Sequence, residues 1–248
     1  VPEVLKGIRS KKAVYELVGE KMDSSHCGYY DTPIGTGQPS INTPEALAVW
    51  ELIKGKSEEE KRTDKIRKME EKLLFSKIPG FFPTPDLIVD RMLELADINP
   101  DHKCLEPQAG SGAIADRIKG ICKSVDCCEI SSSLREILQL KGHILIADDF
   151  IEEAIDPIYD RIVMNPPFEN LQEIDHVKKA FDFLVPGGRL VSVMSPAPFY
   201  RSDKKSTAFK NWFEDLDGQK IELPAGSFKE SGTGVSTVII VIDKRGED

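Results

Sequence analysis

The 248-residue sequence is poor in the residues that mark several common kinds of protein. Its five cysteines are Cys27, Cys104, Cys122, Cys127 and Cys128. An odd number without regular spacing argues against a disulfide framework, and the lack of any C-x-x-C pair argues against a zinc site. Four of the five lie in or near apolar segments, where a free thiol behaves as a small hydrophobe. An intracellular, cytoplasmic protein is expected. The histidines, His26, His102, His143 and His176, show no ligand spacing among themselves or with Cys27. All read as structural or exposed, and no metal is expected. No apolar run approaches the ~20 residues of a membrane-spanning helix. The first residues, Val1-Pro2-Glu3-Val4, do not begin with Met and lack a basic-then-apolar signal pattern. An excess of positive charge is also missing. The formal net charge is −9; residues 1–80 hold 14 Lys and Arg against 13 Asp and Glu, and residues 81–248 hold 19 against 29. A protein that grips nucleic acid unaided carries a basic footprint. Here such a contact must use a local patch or another subunit.

What is present describes a globular chain: 40% of the residues are hydrophobic and 30% charged, enough to bury a sizeable core. One domain with an appendage is expected. Residues 3–20 read as a short helix, residues 22–43 as a long Gly-, Pro- and Ser-rich loop, and Thr43-Pro44-Glu45 opens a helix through Ile53. Ser57-Glu58-Glu59-Glu60 is a capping-box pattern that starts a very charged helix to about Phe75. Its Lys61, Arg62, Lys65, Arg67, Lys68 and Lys72 are balanced by Glu58, Glu59, Glu60, Asp64, Glu70 and Glu71. It reads as a solvated face with i,i+4 pairs or, less simply, as a nucleic-acid contact.

From Pro79 the character changes. "IPGFFPTPDLIVDRMLELADINP" reads as a turn and an amphipathic helix with Leu87, Ile88, Met92, Leu93 and Leu95 on its apolar side. Strand patterns follow near 102–106, 124–129, 143–147, 160–164 and 188–194, with helices near 112–120, 131–141, 170–184 and 203–215. This alternation predicts a parallel sheet with helices on both faces. "QKIELPAG" and "GVSTVIIVIDK" are two strands with no helix between them, so an antiparallel finish is expected. The predicted organisation is a helical and loop extension over 1–78 and an α/β domain over 79–248.

Several strand ends carry chemistry. The first strand exits into Glu106-Pro107-Gln108-Ala109-Gly110-Ser111-Gly112, a glycine turn that either cradles a nucleotide at a helix start or is only a tight connection. Glu129, after the second strand, suits ribose hydroxyls, or is a solvated acid favoured by the dipole of the helix that Ser131-Ser132-Ser133 opens. Asp148-Asp149-Phe150, after the third, can accept from an adenine amine while the ring packs on the base, or can cap a helix. After the fourth strand, Asn165-Pro166-Pro167-Phe168 leaves the sheet through two residues that lack an N–H and fix φ. That segment is either a stiff holder of an amide, carbonyls and an aromatic ring or only a turn after an edge strand.

The ordered set "FFPTP", "LEPQAGSG", "CCEI", "ADDF" and "NPPF" resembles the S-adenosylmethionine-dependent methyltransferases of the Rossmann-like class, and looks most like the DNA adenine-N6 group. The closing "ELPAGSFKESGTGVSTVIIVIDK" is similar to the end of the catalytic core in modification subunits of type I restriction systems. The resemblance covers roughly residues 79–244. It implies a mostly parallel methyltransferase sheet with an antiparallel last strand, preceded by the helical segment, and S-adenosylmethionine as cofactor. It also implies roles. The side-chain carbonyl of Asn165 and the backbone carbonyl of Pro166 would accept from the target amino group, Pro167 would stiffen the turn, and Phe168 would stack on a flipped base. Glu106, Pro107, Ala109, Gly110 and Gly112 would face the methionine part, with Glu106 near its amino group. Glu129 would take the ribose, Asp149 the adenine amine, and Ile130 or Phe150 the ring. Asp149 is preferred to Asp148 because the family acid directly precedes the aromatic. Phe82, Pro83 and Thr84 would close over the cofactor.

One departure stands out. Enzymes of this arrangement usually carry a target-recognition domain after the core, and nothing after Lys244 could read a sequence. Recognition is expected from residues 1–78, from the loop 196–207, from a separate subunit, or from a longer parent chain. In that loop Phe199 and Tyr200 could stack on bases while Arg201, Lys204 and Lys205 meet phosphates. It could equally be a polar surface loop with a helix capped by Ser202 or Asp203. The implied activity is methylation of adenine N6 in DNA, with DNA as partner. The alternatives are adenine in RNA, glutamine in a protein (enzymes of that kind share Asn-Pro-Pro but follow it with Tyr), and a non-catalytic subunit of a methyltransferase complex.

Overall fold

The computed structural model describes residues 56–75, 78, 81–154, 156–229 and 234–246. The helices expected over 3–20 and 43–53, the loop 22–43, His26, Cys27 and residues 230–233 of the closing segment lie outside the described residues. The chain divides into two units, Val1–Lys65 and Ile66–Asp248. In the first, the expected capping box is formed: Ser57 N–H donates to Glu60 Oε2 at 2.6 Å, and Glu60 N–H donates to Ser57 Oγ at 3.1 Å. These bonds satisfy two of the amides left open at the start of helix α1, Glu58–Phe75.

The second unit holds a seven-stranded sheet. Its elements run α2 (Asp86–Ala96), β1 (Lys103–Glu106), α3 (Ala113–Lys119), β2 (Ser124–Cys128), α4 (Ser132–Leu140), β3 (Ile144–Ala147) and β4 (Tyr159–Met164). They continue with α5 (Gln172–Asp182), β5 (Leu184–Met194), α6 (Ala197–Tyr200), α7 (Lys204–Asp215), β6 (Gln219–Glu222) and β7 (Val238–Asp243). The strand order is β3-β2-β1-β4-β5-β7-β6. Strands β1 to β5 pair parallel, and β7 runs antiparallel to both neighbours. The mostly parallel sheet with an antiparallel last strand is therefore present.

Alternation along the central strands builds two cores. Val163 and Val191 face one side, with Ile88, Val89, Met92, Ile114 and Ile118 of α2 and α3. Ile162, Met164 and Leu190 face the other, with Ile174 and Val177 of α5 and Phe209 and Phe213 of α7. Strands covered on both faces must be apolar at successive positions, which is why β4 and β5 read as continuous hydrophobic runs. Two details differ from expectation. The buried face of α2 is Ile88, Val89, Met92 and Ala96, whereas Leu87 is 81% exposed. Nine residues are about two and a half helical turns, so Leu87 points opposite Ala96. Strand β5 also begins at Leu184 rather than near 188, because a register shift against β4 between Tyr159 and Arg161 absorbs the Pro186-Gly187-Gly188 segment.

Candidate active site

The chain runs β1, β2, β3 toward one edge and then returns to place β4 beside β1. At such a reversal two adjacent strands send their following loops in opposite directions and leave a crevice at the carboxyl ends, where doubly wound sheets bind ligands. The loop after β1 (106–112) and the loop after β4 (165–168) border it.

Glu106 closes β1 and is 2% exposed. It accepts a hydrogen bond from the Ala115 N–H, yet its Oε2 is buried without a partner. Burial holds its carboxyl well above the usual carboxylate range, against the lowering effect of that N–H. Gly110 has φ +56 and donates its N–H to Glu129 Oε2 at 2.8 Å, while Glu129 Oε1 accepts from Ser131 N–H at 2.8 Å. Glu129 is 7% exposed, so it is not the solvated acid that the sequence left open. Burial raises its pKa, partly offset by those N–H bonds and the Arg135 charge. The Ala109 N–H donates to Cys128 O at 2.9 Å and ties the glycine loop to β2.

A cavity of about 450 Å³ opens beside this loop, within the size range of small-molecule sites. Pro107, Gly110, Glu129, Ile130, Asp149 and Phe150 line it, as do Asp148 and Pro167. Asp148 is exposed and paired with Arg135 at 3.2 Å, while Asp149 sits deeper and accepts from Ile151 N–H at 2.9 Å within a turn, not at a helix start. Phe150 is 3% exposed and Ile130 69% exposed. A smaller cavity of about 30 Å³ is lined by Phe82, Pro83, Thr84, Glu106, Ala109 and Asn165. Phe81, Gln108 and Gly110 border both.

Phe81, Gln108 and His176 are among the bordering residues that the sequence does not single out as site residues. Phe81 lies over Gly110 so closely that a Cβ there would stand 2.7 Å from its ring. Of the paired aromatics in "FFPTP" it is the inner one; Phe82 is 45% exposed. Gln108 Nε2 lies 2.9 Å from His176 Nδ1, and His176 stacks on Phe150 with centroids 6.0 Å apart. His176, which the sequence presents as structural or exposed, is buried and lines the larger cavity. Its protonation is disfavoured by burial.

Asn165 is half-buried at the end of β4. Its Nδ2 donates to Thr84 Oγ1 at 3.0 Å and to the Phe82 carbonyl at 3.4 Å. Pro166 is buried, and Phe168 packs against the core beneath the site. Immediately after it, Asn170 and Leu171 have φ of 55 and 57. Asparagine tolerates this left-handed region, but it is uncommon for a residue such as Leu171 and recurs at functional sites.

Other predicted residues line neither cavity. Gly112, with φ +95, caps α3. Phe199 is held edge-on between Phe209 and Phe213, so it belongs to the core as much as to the surface. Tyr200 is 68% exposed, with its hydroxyl 3.2 Å from Glu222. Arg201 pairs with Asp203, and Lys205 with Asp175. Lys204 is exposed at the start of α7. Asp203 accepts from Ser206 N–H at 3.1 Å and caps that helix, one of the two caps the sequence offered. Cys104, Cys122, Cys127 and Cys128 are buried free thiols. Burial pushes the Cys128 thiol up to about 12. Among the described residues no cluster of His, Cys, Asp and Glu could hold a metal.

No model of a protein family matches the chain, and no curated protein matches it in sequence. Solved structures do. The chain is similar to a protein of Listeria monocytogenes assigned as a class I S-adenosylmethionine-dependent methyltransferase, with 17% identity over 82% of this chain and 74% of that one, at a TM-score of 0.59. The fold is that of the Rossmann-like methyltransferases. A protein of Vibrio vulnificus assigned as the modification subunit of a type I restriction enzyme shares it, with 20% identity over 81% of this chain and 54% of that one (TM-score 0.56). So does the type I restriction-modification methyltransferase subunit of Streptococcus thermophilus, with 15% identity over 94% and 59% (TM-score 0.59). The chain thus spans about three quarters of the first and little more than half of the other two. In this methyltransferase fold, the crevice beside β1 and β4 is the one that Glu106, Glu129 and Asn165 border.

Proposed function

We propose that the chain is an S-adenosylmethionine-dependent methyltransferase acting on the N6 amino group of adenine in DNA, with residues 79–248 as its catalytic domain and 1–78 as an extension. The observation that carries this reading is the juxtaposition at the β1–β4 reversal. A rigid Asn-Pro-Pro-Phe segment stands beside a buried acid, Glu106, which keeps one oxygen without a partner and borders the same small cavity as Asn165.

The residues present fit the cofactor. The unpartnered Glu106 Oε2 suits an ammonium, since a buried carboxylate oxygen without a partner is costly until a cation reaches it. Each oxygen of Glu129 accepts one backbone N–H and keeps a lone pair for a ribose hydroxyl. Ile130, Asp149 and Phe150 supply an apolar slot with one acceptor for an adenine. When bound, S-adenosylmethionine supplies a methyl group on a positively charged sulfur.

The chain's own part in transfer is positioning and electrostatics. With its nitrogen turned toward Thr84 and Phe82, Asn165 keeps its carbonyl oxygen for an incoming amino group. That oxygen and the Pro166 carbonyl accept the two amino hydrogens and hold the nitrogen lone pair out of the ring plane. The two prolines keep these acceptors in place beforehand, so little reorganisation is needed during reaction. Stacking by Phe168 requires its ring to present a face to the base while its edge stays on the core.

The net acidity of residues 81–248 favours help in gripping DNA. Two of the similar structures are themselves subunits of restriction systems. A separate recognition subunit or a further domain of a longer parent chain is therefore part of the proposal. No described helix is long and apolar enough to cross a membrane. The test is transfer of labelled methyl to duplex DNA, single-stranded DNA, RNA and a protein extract, with Asn165→Ala as control. Label in N6-methyladenine from DNA, lost in the control while cofactor affinity persists, is expected. Label only in RNA or protein overturns the substrate; label that persists in the control overturns the role of Asn165.

A further inference from the structure

Asparagine is an ambiguous acceptor. Its amide carries two donors at one end and an acceptor at the other, and a half-turn about the last side-chain bond exchanges them. For the proposed reaction only one of the two orientations works, because an N–H facing the target amino group opposes it. What selects the orientation is therefore part of the mechanism, and this inference rests on the function proposed above.

The selecting contacts come from the strap before α2. The Phe82 carbonyl, 3.4 Å from the Asn165 amide nitrogen, can only accept, so it excludes the oxygen from that side. At that length it is a weak contact. The stronger one is Thr84 Oγ1, at 3.0 Å. A threonine hydroxyl can rotate to donate or accept, so it follows the orientation that the carbonyl sets and reinforces it. Thr84 is 7% exposed and borders the smaller cavity, where water competes weakly for this bond. Thr84 and Asn165 are 81 residues apart, joined only because the strap crosses the end of β4.

We infer that Thr84 is a positioning residue for Asn165: its hydroxyl anchors the amide nitrogen in the orientation that the Phe82 carbonyl sets, and so keeps the carbonyl oxygen turned toward the substrate. Thr84 acts through Asn165, not on the reacting atoms. The function assigned to "FFPTP" thus extends from closing over a cofactor to orienting the group that receives the substrate.

The test uses the full chain with Thr84→Val, which keeps β-branching and volume but removes the hydroxyl, and Thr84→Ser, which restores it. In the cofactor-free protein, the Asn165 side-chain amide is assigned by NMR through its loss in Asn165→Ala. Its hydrogen-bonded proton is expected downfield and slow to exchange in the wild type and in Thr84→Ser, and shifted upfield and fast in Thr84→Val. At saturating cofactor, Thr84→Val is expected to slow single-turnover transfer about 5- to 30-fold, the factor that about 1–2 kcal/mol represents, and Thr84→Ser to recover most of it. Unchanged amide signals in Thr84→Val overturn the inference, as does a serine variant as slow as the valine one. Wild-type transfer with an equal rate in Thr84→Val overturns it while the proposed function stands. A wild type that neither binds S-adenosylmethionine nor transfers to any of the four substrate classes overturns the function itself, and the amide signals still decide whether Thr84 orients Asn165.

Discussion

Replacing Glu106 by glutamine is expected to move stability and cofactor affinity in opposite directions. Glu106 is buried with Oε2 unpartnered, and burial raises its pKa well above 4.5 in the folded chain. Below pH 4.5 both folded and unfolded chains hold the proton, and ionisation of the group costs nothing. As pH rises above 4.5 the unfolded chain ionises first, so the folded state loses relative stability until the folded pKa is passed. At neutral pH the wild type therefore carries a penalty. An unsatisfied buried polar group costs about 1–3 kcal/mol, and more when charged. Glutamine keeps the shape and the acceptor for Ala115, removes the charge, and leaves a neutral amide without an acceptor. The net gain expected near pH 7 is about 1–2 kcal/mol, or about 2–8 °C in Tm for a unit of this size. The gain vanishes near pH 4. The same substitution removes the counter-charge for an ammonium, worth about 1.5–3 kcal/mol, so Kd for S-adenosylmethionine should rise about 10- to 150-fold. Thermal unfolding at pH 4, 5.5 and 7, with calorimetric titration of the cofactor, reads both effects. A variant less stable than wild type at pH 7, or one with unchanged affinity, refutes the reasoning.

Three further outcomes are expected. Glu129→Ala should weaken cofactor binding by about 1–3 kcal/mol and also lower Tm, since Gly110 and Ser131 N–H groups lose their acceptor; an unchanged Kd rejects the ribose assignment. Gly110→Ala meets both a positive φ and the Phe81 ring. It should cost about 1–2 kcal/mol for the backbone alone and block cofactor entry. Adding Phe81→Ala should recover only the overlap, a partial rescue readable as Tm of the single and double variants. Burial lowers the pKa of His176, so as pH falls below 6.5 the unfolded chain protonates first and stability falls. His176→Gln should lose less stability than wild type between pH 7.5 and 5.5; an equal loss places the acid sensitivity elsewhere.

Much of this architecture is written locally. The β–α alternation from Lys103 to Asp215 follows from hydrophobic period and strand-end punctuation, and these depend on near neighbours alone. Ser57 and Glu60 cap their helix across a single turn. Asn165-Pro166-Pro167 could be singled out because proline acts on its own backbone and on the residue before it. Glu106, Gly110 and Glu129 were legible as strand-end groups in a doubly wound pattern, and the sheet brings them within hydrogen-bond reach of one loop.

Other features exist only after the chain has closed on itself. Whether Phe81 or Phe82 faces inward depends on how the strap crosses Gly110, and two adjacent aromatics look alike in the sequence. The exposure of Leu87 depends on the phase of α2 against β4 and β5. Phe199 resembles a free wedge until α7 brings Phe209 and Phe213 to it. Gln108 and His176 are 68 residues apart, and Thr84 and Asn165 are 81. No period or spacing encodes such pairs, because each is set by the strand order and by where a loop crosses it. Sequence by itself determined which segments become strands, helices and stiff turns, since those choices are made by local sterics and burial pattern. Tertiary structure alone decided which side of each loop faces the crevice, which acids keep a buried oxygen without a partner, and which way the Asn165 amide turns, since these follow from contacts between parts of the chain far apart in sequence.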